Sequence, residues 1–183
     1  MITRLIGAVA LAAAGYYLLN KQKSLNASRS TVRESIEVDV PVRTAYDQWT
    51  QFEDFPSFMD SVESIRQLDD KRLHWQASVF GKTIEWDAEI TEQVPDKRIA
   101  WRSTTGTPNS GQVSFKSLSP TRTRIVLEMS YTPTDTIEAV GDALGAVRAE
   151  ATANLKKFKQ VIEARGHETG GWRGSIEGGR VTH

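Results

Sequence analysis

The sequence predicts an α+β fold, a curved seven-stranded antiparallel sheet wrapped on one long C-terminal helix, with a further apolar helix at the N-terminus. Three observations predict it. From Leu73 to Tyr131, large apolar residues recur on every second position, the spacing of strands with one wet and one dry face. Trp75, Trp86 and Trp101 all fall on the dry face. From residue 135 to 165, apolar residues recur three and four apart, as on a helix that buries one side. A bent sheet closed by one helix makes a container, and its contents become the question.

Residues 1–20 read as an apolar anchor helix. Leu5 to Leu19 is an unbroken hydrophobic run between Arg4 and Lys21. As a helix it would rise about 22 Å, short of the roughly 30 Å hydrocarbon core. A single-pass membrane anchor, a signal peptide cleaved near Ala12-Ala13-Ala14, and a helix docked on protein all fit the run. Lys21, Lys23 and Arg29 outnumber Arg4, which would put the main domain on the cytoplasmic side of a bacterial-type membrane. Cleavage would instead give a secreted or periplasmic protein. Residues 21–30 are polar and aperiodic, a linker.

The main domain is expected over residues 31–166. Ile36, Val38 and Val40 alternate up to Pro41 and mark the first strand. Val42, Ala45, Tyr46 and Trp49 have helical spacing. Phe52 to Met59 is a broken helical patch, kept short by Pro56. Six strands follow near 61–68, 71–80, 83–93, 98–104, 110–118 and 122–131. Gly81-Lys82 suits a two-residue II′ turn and Pro95-Asp96 a type I turn. Those turns would set Val79 opposite Ile84, Ala77 opposite Trp86 and Trp75 opposite Ala88, each indole facing an alanine. They would also set Ile90 opposite Trp101 and Ala88 opposite Ser103. On the wet face His74 would meet Glu89, and Glu89 would meet Arg102, a solvated charge ladder.

The long helix runs from Asp135 to Arg165, with Asp135 and Glu138 spaced as a capping pair and Gly166 ending it. Gly141 and Gly145 lie in its interior, where glycine costs about 1 kcal/mol relative to alanine. Close approach to the sheet is one reason for them, and room for a ligand is another. Residues 167–183 read as a glycine-rich tail.

Composition excludes several functions. The chain has no cysteine, so disulfides and thiolate chemistry are out. Four of the 23 basic side chains fall in residues 1–30, leaving 19 against all 23 acidic ones in the rest. A net-acidic domain is a poor nucleic-acid binder. No cofactor or metal set is evident, and oligomeric state leaves no signal.

The word Val38-Asp39-Val40-Pro41-Val42, the phrase Trp49…Phe52…Phe55-Pro56…Phe58-Met59, the hairpin Gly111-Gln112-Val113-Ser114-Phe115 with Thr121 to Arg124, and the helix end Leu155 to Ile162 occur in that order. Together they resemble the polyketide cyclase/dehydrase and coenzyme-Q-binding group of the START-like, helix-grip superfamily that includes the birch-pollen allergen. The resemblance covers about residues 31–165. It implies an apolar cavity with its mouth near Phe52, Phe55, Pro56, Phe58 and Met59. The expected ligand contacts are Trp49, Phe55, Phe58, Trp75, Ala77, Trp86, Trp101, Ser103, Phe115, Met129, Tyr131, Gly141, Leu144 and Gly145.

Three functions follow as expectations. The first is membrane-tethered, non-catalytic binding of a hydrophobic small molecule such as a quinone, isoprenoid or lipid. The second is a polyketide-type cyclase or dehydratase. Its inward candidates are Ser103, Ser117 and Tyr131, with no evident inward histidine or carboxylate to activate them. The third is a membrane-attached protein-interaction module working through its tail, where Trp172 stands, or through the groove between the long helix and the sheet.

Overall fold

A computed structural model describes residues 30–79, 82–106, 108–131 and 140–183. In chain order the elements are β1 (Ser30–Val38), α1 (Val42–Trp49), a 3-10 turn (Phe52–Ser57), β2 (Val62–Gln67), β3 (Arg72–Val79), β4 (Lys82–Val94), β5 (Arg98–Ser103), β6 (Asn109–Ser119), β7 (Arg122–Tyr131), α2 (Val140–Arg165), β8 (Ser175–Glu177) and β9 (Arg180–Thr182). The sheet is antiparallel, with strand order β1-β7-β6-β5-β4-β3-β2. It is the α+β fold expected, with nine strands rather than seven, because β8 and β9 form a hairpin that pairs with β4.

The helix lies against β1. Val147, Ala151, Leu155, Phe158 and Ile162 form its stripe, each at most 2% exposed. Polar contacts fix its position on β1. Thr152 Oγ1 donates to Glu34 at 3.2 Å, Arg148 pairs with Glu34, and Lys159 Nζ donates to the Glu37 carbonyl at 2.7 Å. The expected start of this helix at Asp135 lies outside the described residues, as does the 5–19 run.

Two turns differ from expectation. Val79 pairs with Lys82, so Lys82 is a strand residue and not part of the turn. The consequence is a two-residue shift that leaves every side chain on its expected face but changes its partner. Trp75 stands opposite Trp86, Ala77 opposite Ile84 and Leu73 opposite Ala88, so the indoles meet each other and not alanines. On the wet face His74 meets Asp87, with Nδ1 2.8 Å from Oδ1, while Arg102 reaches Glu89 as expected. The β4–β5 loop is longer than expected: Val94 pairs with Arg98, and Asp96 takes the left-handed conformation at φ 62°. A bulge between Ile90 and Glu92 absorbs the extra residue, so Ile90 still faces Trp101 and Ala88 still faces Ser103.

Residues 167–183 are not a loose tail. They form a strap packed on α1 and the end of β4. Arg173 pairs with Asp47 and Asp96, each at 2.7 Å, and lies over the Tyr46 ring. The Trp172 amide donates to Thr50 Oγ1 at 3.0 Å, and Ile176 is fully buried. Hydrogen bonding to Asp96 holds the Arg173 guanidinium above its ordinary pKa. Burial pushes the Tyr46 hydroxyl, which accepts from Gln93, up to about 12. Two glycines of the strap, Gly171 and Gly174, stand where space is tight. A Cβ at Gly171 would lie 2.8 Å from Asp47, and one at Gly174 would lie 2.7 Å from the Trp172 ring.

The single-pass membrane placement, with a cytoplasmic main domain, is corrected. Among the described residues no helix is long and apolar enough to cross a membrane, and the run that suggested one lies outside them.

Candidate functional site

Between the sheet, the helical rim and α2 lies a cavity of about 150 Å³. The rim contributes Trp49, Phe52, Phe55 and Met59. The sheet contributes Trp75, Trp86, Trp101, Leu73, Ile90, Ile99, Leu127 and Met129 among others, and α2 contributes Val147, Glu150, Ala151 and Asn154. The Trp75 and Trp86 indoles are stacked, with centroids 5.5 Å apart and planes 15° from parallel. Phe55 meets Trp75 edge-on at 6.0 Å. The third indole, Trp101, lies across Gly111, where a Cβ would come within 2.4 Å of its ring. Glycine at 111 therefore lets Trp101 lie close to the sheet surface. Among the described residues the buried Trp75 indole N–H has no hydrogen-bond partner, a cost of about 1–3 kcal/mol that the surrounding ring packing has to offset.

One titratable side chain is set in this apolar wall among the described residues. Glu150 is 5% exposed, and Ser61 Oγ donates to its Oε1 at 2.9 Å. Burial pushes its carboxyl above the usual carboxylate range, and Asp60 pushes the same way. Hydrogen bonds from Ser61 and Asn154, and the Lys157 charge, pull back. Lys157 is itself paired with Asp60. Asn109, Ser110 and Ser130 supply a further polar patch, with Ser130 3.1 Å from the Thr31 hydroxyl.

Six of the expected contact residues meet on the cavity wall: Trp49, Phe55, Trp75, Trp86, Trp101 and Met129. Phe58 is buried behind it, against Trp49 and Phe158. Phe115 packs edge-on to Tyr46 and Trp49. Ala77 is buried beside Trp86 and Ala88. Ser103 accepts from the Asn109 amide at 3.0 Å. Ser117 is exposed near the end of β6 and donates to the Ser119 carbonyl. Gly145 is exposed, with no described atom within 4 Å of where its Cβ would be, so among the described residues it neither approaches the sheet closely nor forms the wall. Tyr131 is paired in β7 with Ser30 and Asn109; its side chain, and those at Gly141 and Leu144, lie outside the described residues.

Sequence reasoning missed Glu150, Ser61 and Asn154. For Glu150 there was a signal. It stands three residues after Val147 and four before Asn154, which places it along the edge of the helix face that Val147 buries. The expectation that no carboxylate faces inward is therefore corrected.

Comparison with known proteins gives the family and the fold. Residues 38–159 match the family model described as polyketide cyclase/dehydrase and lipid transport. An uncharacterised 17.2 kDa protein from the melC2-rnhH intergenic region of Streptomyces lincolnensis is 51% identical over 148 residues, covering 80% of this chain and 99% of its own. The crystal structure of DR_A0006 from Deinococcus radiodurans superposes with a TM-score of 0.58 at 29% identity, covering 74% of this chain and 99% of that one. The ZhuI aromatase/cyclase from a Streptomyces species superposes with a TM-score of 0.64 at 16% identity, covering 79% and 100%. That last likeness is one of fold.

Proposed function

Because the chain belongs to the polyketide cyclase/dehydrase and lipid transport family, we propose that its cavity takes a polyketide-type, ring-forming substrate and that Glu150 moves the proton in its cyclisation or dehydration. The observation that carries this reading is the buried carboxyl held by Ser61 in a wall of aromatic rings. Desolvation raises its pKa above the usual carboxylate range, which makes the ionised carboxylate a stronger base. In the dehydration of a β-hydroxyketone, the Glu150 carboxylate removes the α-proton. The carbon–carbon double bond forms as the carbon–oxygen bond breaks. The carboxylic acid then returns the proton to the departing hydroxide, and water leaves. The indoles hold the substrate's flat portion by stacking.

The test uses an aryl β-hydroxyketone, followed by the absorbance of its enone product. Wild type should accelerate loss of water, and Glu150→Gln should reduce the rate by about a hundredfold, within the range of general acid–base catalysis. Equal rates in both would end the catalytic reading. A second reading, carriage of a quinone, isoprenoid or lipid without reaction, is favoured by the predominance of apolar residues in the wall. It expects binding without turnover.

A further inference from the structure

Among the described residues, the cavity wall contains a carboxyl and no lysine, arginine or histidine. This asymmetry bears on ligand charge. An anion entering an apolar site surrenders its hydration, and here it would meet no cation in exchange. It would also face Glu150, and two carboxylates sharing one dry site cannot both ionise without a large penalty. The nearby cation that acts on Glu150, Lys157, is taken up by Asp60. A neutral molecule meets the opposite situation. A protonated Glu150 donates to a hydroxyl or carbonyl oxygen, an ionised one accepts from a hydroxyl, and the Asn154 amide can do either.

We propose that Glu150 acts as a charge filter, so that the cavity admits neutral apolar molecules bearing a hydroxyl or carbonyl and turns away carboxylates and phosphates on the same carbon skeleton. This deepens the reading above and rests on its premise that the cavity receives a ligand. It holds whether or not a reaction follows. It separates this chain from a carrier of free fatty acids or phospholipids, whose head groups would need a cation that the described wall lacks.

The experiment compares matched probes on the full chain at neutral pH: anthracene-9-methanol against anthracene-9-carboxylate, and hexadecanol against palmitate. Energy transfer from tryptophan reports the anthracenes, and displacement reports the chains. Each alcohol should bind at least about tenfold tighter than its carboxylate. Glu150→Gln should close most of that gap by improving carboxylate binding. Wild type alone decides the first point, so the result does not depend on how the variant folds. A carboxylate that binds as tightly as its alcohol, or a gap unchanged in Glu150→Gln, would overturn the filter while leaving the cavity reading intact. Failure of all four probes to bind would overturn both.

Discussion

The indole of Trp75 lies directly across from that of Trp86, on adjacent strands, their planes 15° from parallel and their centroids 5.5 Å apart. Parallel indoles at this distance couple their electronic transitions. Far-ultraviolet circular dichroism should show a tryptophan couplet in wild type that vanishes in both Trp75→Phe and Trp86→Phe. Trp86→Ala should lower stability by about 3–5 kcal/mol, the usual cost of deleting a buried large aromatic. Retention of the couplet in either phenylalanine variant would show that another pair produces it.

Glu150 makes stability depend on pH with a definite sign. Burial raises its pKa in the folded protein above the unfolded value. The folded state therefore holds the proton more tightly. Its stabilising contribution is complete below the unfolded pKa and disappears as pH rises through the folded pKa. Glu150→Gln removes this dependence. The variant should gain on wild type in urea midpoint as pH rises above the ordinary glutamate pKa of about 4. An unchanged difference over that rise would mean that Glu150 titrates normally.

The strap should hold the rim in place through Arg173. Asp47 is 4% exposed in this pair, so Arg173→Ala leaves a poorly hydrated carboxylate, with Arg43 3.4 Å away on the outer side. Loss of a charged hydrogen-bond partner of this kind costs about 1.5–3 kcal/mol. The same change at Arg102, whose pair with Glu89 is solvated, should cost at most about 1 kcal/mol. Denaturant unfolding of the two variants separates the cases, and equal losses would contradict the strap's role.

Gly145 and Gly111 should respond to alanine in opposite directions. Gly145 sits in a helix with nothing among the described residues near its missing Cβ, so Gly145→Ala should stabilise by about 0.5–1 kcal/mol. Gly111→Ala would drive a methyl into the Trp101 ring and the Glu128 carbonyl, and should destabilise and narrow the cavity. Thermal unfolding reads both. A loss at Gly145 would mean that its surroundings are tighter than the open space seen here.

How much was legible follows from what each pattern encodes. The dry faces were readable because period-two alternation survives any even shift in register, and Trp75, Trp86 and Trp101 all reached the cavity wall. Their partners were not, because pairing depends on where the strand resumes, and Lys82, expected in the turn, already pairs with Val79. The strap was hidden because β8 and β9 are three residues each, too short for a period to appear. Its order comes from Arg173 and Ile176 docking on distant elements. Glu150 was overlooked because a lone glutamate is ordinary in a helix, and only its three-residue spacing from Val147 distinguishes it.

The tryptophans offer the most direct test that the cavity is where a ligand goes. Four of the five, Trp49, Trp75, Trp86 and Trp101, form its wall, while Trp172 lies on the strap. With 5-fluorotryptophan incorporated throughout, fluorine spectra recorded during titration with anthracene-9-methanol should show the four wall resonances moving together and Trp172 staying still. Spectra in which none of the four moves, or in which Trp172 alone responds, would contradict the account.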